Sequence, residues 1–333
     1  MTLQGIKLGV ALVLLVTLFV RLEAAVPFGM AASKRERRAS SNPPRRPPSP
    51  FPTVVTRSLP LSAQFREADG RGLLVKTWIN GRGAFTFAID TGAGAIILSR
   101  RVATEARVGI ARERNIEISG LSGATGGAGQ KASVQMLAVG SSQNFLPSRG
   151  LVIVTDALPS GVDGVLDPTE AYSPFGYSID MPKGEISAFD PQRTPLRAGA
   201  APQGGVVVRW LREAGGRRPF VMLDGGKRAL LDTGSGFGLA VSEDAARTIG
   251  IAEMLRRDAS HARQTYDLAG GRVTARRMKP ATIYVGSLML RGVPTDFLLH
   301  AEAGAPILLG RDALRPFRLM FDPLSQLIQI RPS

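Results

Sequence analysis

Two short stretches of this 333-residue chain carry the residue types that acid–base chemistry needs. Ala84-Phe85-Thr86-Phe87-Ala88-Ile89-Asp90-Thr91-Gly92-Ala93-Gly94 is echoed by Arg228-Ala229-Leu230-Leu231-Asp232-Thr233-Gly234-Ser235-Gly236, and the two Asp lie 142 positions apart. A carboxylate placed at the end of an apolar strand, once in each half, suits two carboxyl groups meeting at a pseudo-twofold axis. Close carboxyl groups cannot both ionise, so one stays protonated while the other is charged. Such a pair can deprotonate a water and protonate a carbonyl at once. Gly directly after each Asp permits a backbone approach that a side chain would block, and Thr adds a short, stiff hydroxyl.

The elements that must position these acids repeat as well. Ile97-Leu98-Ser99 precedes an Ala-rich helical stretch ending in Val108-Gly109-Ile110, and Ala240-Val241-Ser242 precedes one ending in Ile249-Gly250-Ile251. Ser99 and Ser242 are expected to be helix N-caps. Each unit continues into a Gly-rich segment, Ser119 to Gly129 or Asp267 to Gly271, and then into β-like alternation reaching Val139-Gly140 or Val285-Gly286. Gly161-Val162-Asp163-Gly164-Val165-Leu166 with Ile179-Asp180 corresponds to Pro306-Ile307-Leu308-Leu309-Gly310 with Phe321-Asp322.

Composition removes other chemistries. The chain has no Cys and two His, which excludes disulfides, thiolate catalysis and cysteine metal sites and disfavours a His relay. No Gly-x-Ser-x-Gly accompanies His261 or His300, and no Gly-Lys-Ser/Thr follows the first Gly-rich stretch, so neither a serine hydrolase nor a phosphate cradle is expected. Asp163, Asp167 and Glu170 lack a recognisable calcium spacing, so no metal is expected. Trp78 and Trp210 read as core or lobe-interface fillers. Gly 38 and Pro 23 with 6% aromatics favour many turns and short strands.

The formal charge of +15 is unevenly spread. Residues 1 to 60 carry +7 of it, and the remaining Arg are scattered without interleaved aromatics, so no nucleic-acid partner is expected. Lys7, the apolar run Leu8 to Val20 and then Ala24-Ala25 give the order of an export signal. The basic cluster Lys34 to Arg38 opposes simple export, and an uncleaved anchor is the alternative to cleavage. The chain is therefore expected to be exported, periplasmic or extracellular, with membrane attachment through the leader as the variant. Asn42 to Pro50 is too rich in Pro and Arg to build a core and reads as a tether.

Hydrophobic-hydrophobic-Asp-Thr-Gly-Ala/Ser and a Gly-rich segment occur in both halves, and the second completes the order with the hydrophobic-hydrophobic-Gly motif Leu308-Leu309-Gly310 and the Phe321-Asp322 strand. This order resembles the aspartic peptidases of the retropepsin and pepsin type, and is similar to the bacterial retropepsin-like proteins with both lobes in one chain. The resemblance implies that Asp90 and Asp232 are the catalytic dyad. It implies that Thr91 and Thr233 hydrogen-bond across the lobe interface, and that Gly92 and Gly234 offer N–H groups to the carboxylates. Ser235, where the first lobe has Ala93, is expected to give Asp232 a hydroxyl hydrogen bond and so leave the shared proton on Asp90. The first lobe departs from the pattern in reading Val165-Leu166-Asp167, so the packing behind Asp90 is expected to differ from that behind Asp232. A mobile flap is expected from Gly123 and Gly126, with Tyr266 offered by the second lobe.

The expected fold is all-β, with two similar mostly-β lobes of acid-protease type. The expected segments are 1–32 as signal peptide or anchor, 33–64 as basic linker, 65–200 as the first lobe and 201–333 as the second. An aspartic endopeptidase working without cofactor on a peptide or protein substrate, and active as a monomer, is the expected function. A peptide-binding module without catalysis and a membrane-tethered scaffold are the alternatives.

Overall fold

A computed structural model describes residues 58–333 apart from 112–115, 120–124, 149, 200–202, 213–215, 252–261, 267–271, 300 and 302–304. Leu59–Ser333 is one compact unit. The leader, the tether up to residue 57, His261, His300 and Gly123 lie outside the described residues. Among the described residues no helix is long and apolar enough to cross a membrane.

Strands dominate, as the composition predicts, and among the described residues they form two sheets of fifteen and seven strands. Each half uses the same succession of strand senses. In the first, Arg82–Ile89 pairs in parallel with Gly164–Leu166, which runs antiparallel to Ile96–Ser99, which is parallel to Leu151–Thr155 and then antiparallel to Thr125–Ser133. In the second, Arg228–Asp232, Ile307–Gly310, Leu239–Val241, Leu288–Leu299 and Arg272–Val285 follow one another in the same senses. Gly164–Leu166, Leu239–Val241 and Ile307–Gly310 in the middle of these runs are short, apolar and buried along their whole length, which is what parallel pairing inside a core requires.

The halves are joined edge to edge. Gly176–Asp180 pairs antiparallel with Phe317–Asp322, with Ser178 opposite Met320 and the pairs Tyr177–Phe321 and Ile179–Leu319 on either side. Glu185–Phe189 and Ala63–Ala68 extend this layer on one side, Leu327–Pro332 and Val206–Arg209 on the other. The expected boundary near residue 200 falls between Glu185–Phe189 and Val206–Arg209, but a continuous sheet crosses from one half to the other. Tyr177 stacks on Phe321 at 4.6 Å and Trp210 meets Phe321 edge-on at 5.9 Å, so three large rings fill the volume beside the joint. Trp210 is buried and donates its indole N–H to Arg218 O at 3.1 Å, in line with its expected filling role. Trp78 is half-buried.

Short helices follow the strands. Ser99 caps Arg100–Glu105 by accepting the Val102 N–H, and Ser242 caps Glu243–Thr248 by accepting the Ala245 N–H, as their places in the sequence predict. Asp180 and Asp322, the other repeated acids, serve turns. Asp180 accepts the Lys183 N–H, and Asp322 accepts the N–H groups of Leu324 and Ser325.

Candidate active site

Asp90 directly follows the strand Arg82–Ile89, and Asp232 ends the strand Arg228–Asp232. Beyond each acid the chain turns away, so both carboxyl groups stand at strand ends in the interior. The turns are locked by a reciprocal set of bonds. Thr91 Oγ1 donates to Leu231 O at 2.6 Å and accepts the Thr233 N–H at 3.1 Å. Thr233 Oγ1 donates to Ile89 O at 3.2 Å and accepts the Thr91 N–H at 3.1 Å. Each hydroxyl thereby satisfies one donor and one acceptor in the other half, and none of the four buried backbone groups is left unpaired.

The glycines explain the close approach. An ideal Cβ on Gly92 would come within 2.9 Å of the Asp232 carboxyl carbon, and one on Gly234 within 2.6 Å of Asp90 Oδ1, so each glycine leaves room for the other half's acid. Each N–H is directed to its own Asp, Gly92 to Asp90 Oδ1 at 2.7 Å and Gly234 to Asp232 Oδ1 at 2.9 Å.

The two acids hydrogen-bond to each other, and their surroundings differ. Burial and the charge of Asp232 hold the Asp90 carboxyl well above the usual carboxylate range. Burial also raises Asp232, but the hydrogen bond from Asp90, the Ser235 N–H, the Arg311 guanidinium and the Gly234 N–H all favour its charged form. These surroundings favour the proton on Asp90 and the charge on Asp232. The contact expected to favour that polarity, the Ser235 hydroxyl on Asp232, is replaced by another. The Ser235 backbone N–H, at 3.0 Å from Asp232 Oδ1, makes the contact, while the Ser235 hydroxyl accepts the Phe237 N–H at 3.3 Å. The turn after Gly234 points the hydroxyl along the chain rather than back at the acid.

Arg311 is a member of this site that the sequence reading missed. It follows Leu308-Leu309-Gly310, is buried, and gives Nη1 to Thr233 O at 2.8 Å and Gly234 O at 2.7 Å, while Nε reaches Glu67 Oε1 at 3.2 Å. An Arg immediately after an all-apolar buried strand was the available signal, because a guanidinium there must find internal partners.

The remaining predicted residues are spread more widely. Gly126 lies in the strand Thr125–Ser133, which pairs with Ile116–Ser119 as the expected Gly-rich hairpin. Tyr266 ends the strand Ala262–Tyr266 and pairs with Arg272. Asp163 accepts the Thr86 N–H and pairs with Arg101, Glu170 pairs with Arg217, and Asp167 caps the helix Pro168–Ala171. Among the described residues no three His, Asp or Glu are grouped to hold a metal.

A comparison with curated proteins found no match. Residues 223–313 match the family model described as aspartyl protease, a stretch that opens before Asp232-Thr233-Gly234-Ser235 and runs through Leu309-Gly310-Arg311. On the residues that hold one acid of the pair and its buried guanidinium, the chain thus resembles the retropepsin-like aspartyl proteases.

Proposed function

We propose that the chain is an aspartic endopeptidase whose two lobes, copies of one ancestral unit, each contribute one acid. The observation that carries this reading is the hydrogen-bonded pair Asp90 and Asp232, buried, polarised and clamped by Thr91 and Thr233. A water bound between the carboxyl groups gives a proton to Asp232 as it attacks the scissile carbonyl, and Asp90 delivers its proton to the carbonyl oxygen. As the C–N bond of the tetrahedral diol breaks, Asp232 gives its proton to the departing amine and one diol hydroxyl gives its proton to Asp90, which leaves the carboxylic acid product and restores the starting pair. An extended peptide would lie under the hairpin Ile116–Ser119 with Thr125–Ser133, where Gly-rich backbone presents its own N–H and C=O groups. Export through the leader and action as a monomer belong to the same proposal and rest on the sequence.

The test is cleavage of a denatured protein mixture between about pH 3 and about 8, a range spanning the titration of a coupled carboxyl pair. Wild type is expected to cut, and Asp90→Asn and Asp232→Asn each to lose at least ~1,000-fold, as removal of an acid or base usually does. A folded wild type that cuts nothing at any pH would return the chain to peptide binding without catalysis.

A further inference from the structure

The residue beside each catalytic strand end differs between the lobes. Asp232 pairs in parallel register with Gly310, where a Cβ would come within 2.9 Å of Ser235 O and 3.1 Å of Ser235 Oγ. In the first lobe Ile89 pairs with Leu166, and Leu166 O accepts the Asp90 N–H at 3.0 Å. The next residue, Asp167, therefore stands beside Asp90 in the place that Gly310 takes beside Asp232. The second lobe has no room there for a side chain, whereas the first lobe houses a carboxyl group that is only 1% exposed.

Capping alone does not explain it. Asp167 Oδ1 accepts the Thr169 N–H at 2.8 Å at the start of Pro168–Ala171, a bond that Asn, Ser or Thr would make without placing a titratable group in the interior. The groups that face Asp167 come from each element around it. Glu170 lies on the helix that it caps, and Arg217, from the stretch preceding Phe220–Met222, pairs with Glu170. Tyr177 lies on Gly176–Asp180 with its hydroxyl 2.9 Å from Thr169 Oγ1, and Asp90 lies at the neighbouring strand end. Burial is the main cause that lifts Asp167 to about 7, Glu170 adds to it, and the Thr169 N–H and Arg217 oppose it. Its charge in turn favours the protonated form of Asp90. On the far side Arg311 favours the charged form of Asp232.

We propose that Asp167 is a positioning residue for the acid pair, a third buried carboxyl group that keeps the shared proton on Asp90 and sets the upper pH limit of catalysis. This assignment rests on the hydrolytic reading above, since it concerns how that pair divides its proton. As Asp167 ionises near neutrality, its charge opposes ionisation of Asp90, so the general acid survives to higher pH than the pair would sustain by itself. Arg311 acts on the other member, so once Asp167 is ionised opposite charges behind the two acids favour one polarity.

The experiment measures kcat/KM against pH for the full chain and for Asp167→Asn, which keeps the cap and removes the charge. The alkaline limb should move to lower pH, with the acid limb in place. Asp167→Ser, which also keeps a cap acceptor, should move the limb in the same direction and covers the case in which Asn does not fold. An unmoved alkaline limb in a folded variant, with Asp90→Asn inactive, would overturn the proposal and leave hydrolysis standing. If wild type cuts nothing, carboxyl carbon NMR of the full chain still decides. Asp90 losing its proton at lower pH in Asp167→Asn than in wild type supports the proposal, and an identical titration overturns it.

Discussion

At the residue scale, the acid pair depends on what its neighbours lack as much as on what they supply. Gly92 faces Asp232 and Gly234 faces Asp90, so a methyl group added to either glycine intrudes on the acid of the opposite half. The space is tighter at Gly234, where the nearest carboxyl atoms of Asp90 would all be closer to the new carbon than those of Asp232 are at Gly92. Gly234→Ala should therefore cost activity by at least ~100-fold, the loss typical of displacing a catalytic group by about 1 Å, and Gly92→Ala should cost less. Steady-state kinetics on the two variants, with folding checked by circular dichroism, tests the order. Equal activities, or Gly92→Ala as the worse variant, would mean that the crossed packing does not limit the reaction.

At the element scale, the reciprocal Thr bonds tie one strand end to the other over 142 positions of chain. Thr91→Val and Thr233→Val keep the shape and remove one donor and one acceptor each, leaving a buried N–H and a buried C=O unpaired. Each should lower stability by about 2 to 4 kcal/mol, since an unsatisfied buried group costs ~1 to 3 kcal/mol. The double variant should lose less than the sum, because the first substitution already loosens the joint that the second depends on. Chemical denaturation of the three variants reads this directly, and full additivity would mean that the two hydroxyls act independently. Elements like these were legible in the sequence where their causes are local. A strand ending in Asp-Thr-Gly, a Ser before a helix and a Gly-rich hairpin each declare themselves within a few residues. The roles of Arg311 and Ser235 were not legible. Arg311 takes its meaning from Thr233, Gly234 and Glu67, which lie 78, 77 and 244 positions away. The direction of the Ser235 hydroxyl is fixed by the backbone after the turn, and residue type alone does not fix that. The joint between Gly176–Asp180 and Phe317–Asp322 was equally hidden, because each strand reads as ordinary apolar alternation and only tertiary packing chooses its partner.

At the scale of the whole molecule, the buried acids set how stability varies with pH. Asp90, Asp232 and Asp167 all bind their protons more tightly in the folded chain than an ordinary carboxyl does, with burial as the leading cause in each case. Between the unfolded value near 3.8 and the folded value near 7 for Asp167, the folded chain holds a proton that the unfolded chain has released. Stability is therefore full below that window and falls as pH rises through it, the reverse of an acid held in a salt bridge. A shift of this size is worth on the order of a few kcal/mol from Asp167 alone. Two other electrostatic contributions act in the same range. The exposed ion pairs, such as Arg100 with Asp156 and Arg101 with Glu105, change stability little when titrated. The net charge of +15 grows as surface acids protonate, and the added self-repulsion favours higher pH, but salt near 0.15 M screens it over about 8 Å while the interior acids are shielded from that screening. The interior term should win between pH ~4.5 and pH ~7.5, so the denaturant midpoint should be higher at the acid end of this window. Asp167→Asn should flatten the slope, because it removes the proton whose release destabilises the fold. A midpoint that rises from pH ~4.5 to pH ~7.5 in wild type at that salt would mean that surface repulsion outweighs the buried acids. A fall of the same slope in Asp167→Asn would assign the effect to Asp90 and Asp232 alone. A chain that is most stable where Asp90 stays protonated and Asp232 can ionise has its folding and its proposed acid–base chemistry drawing on the same interior carboxyl groups.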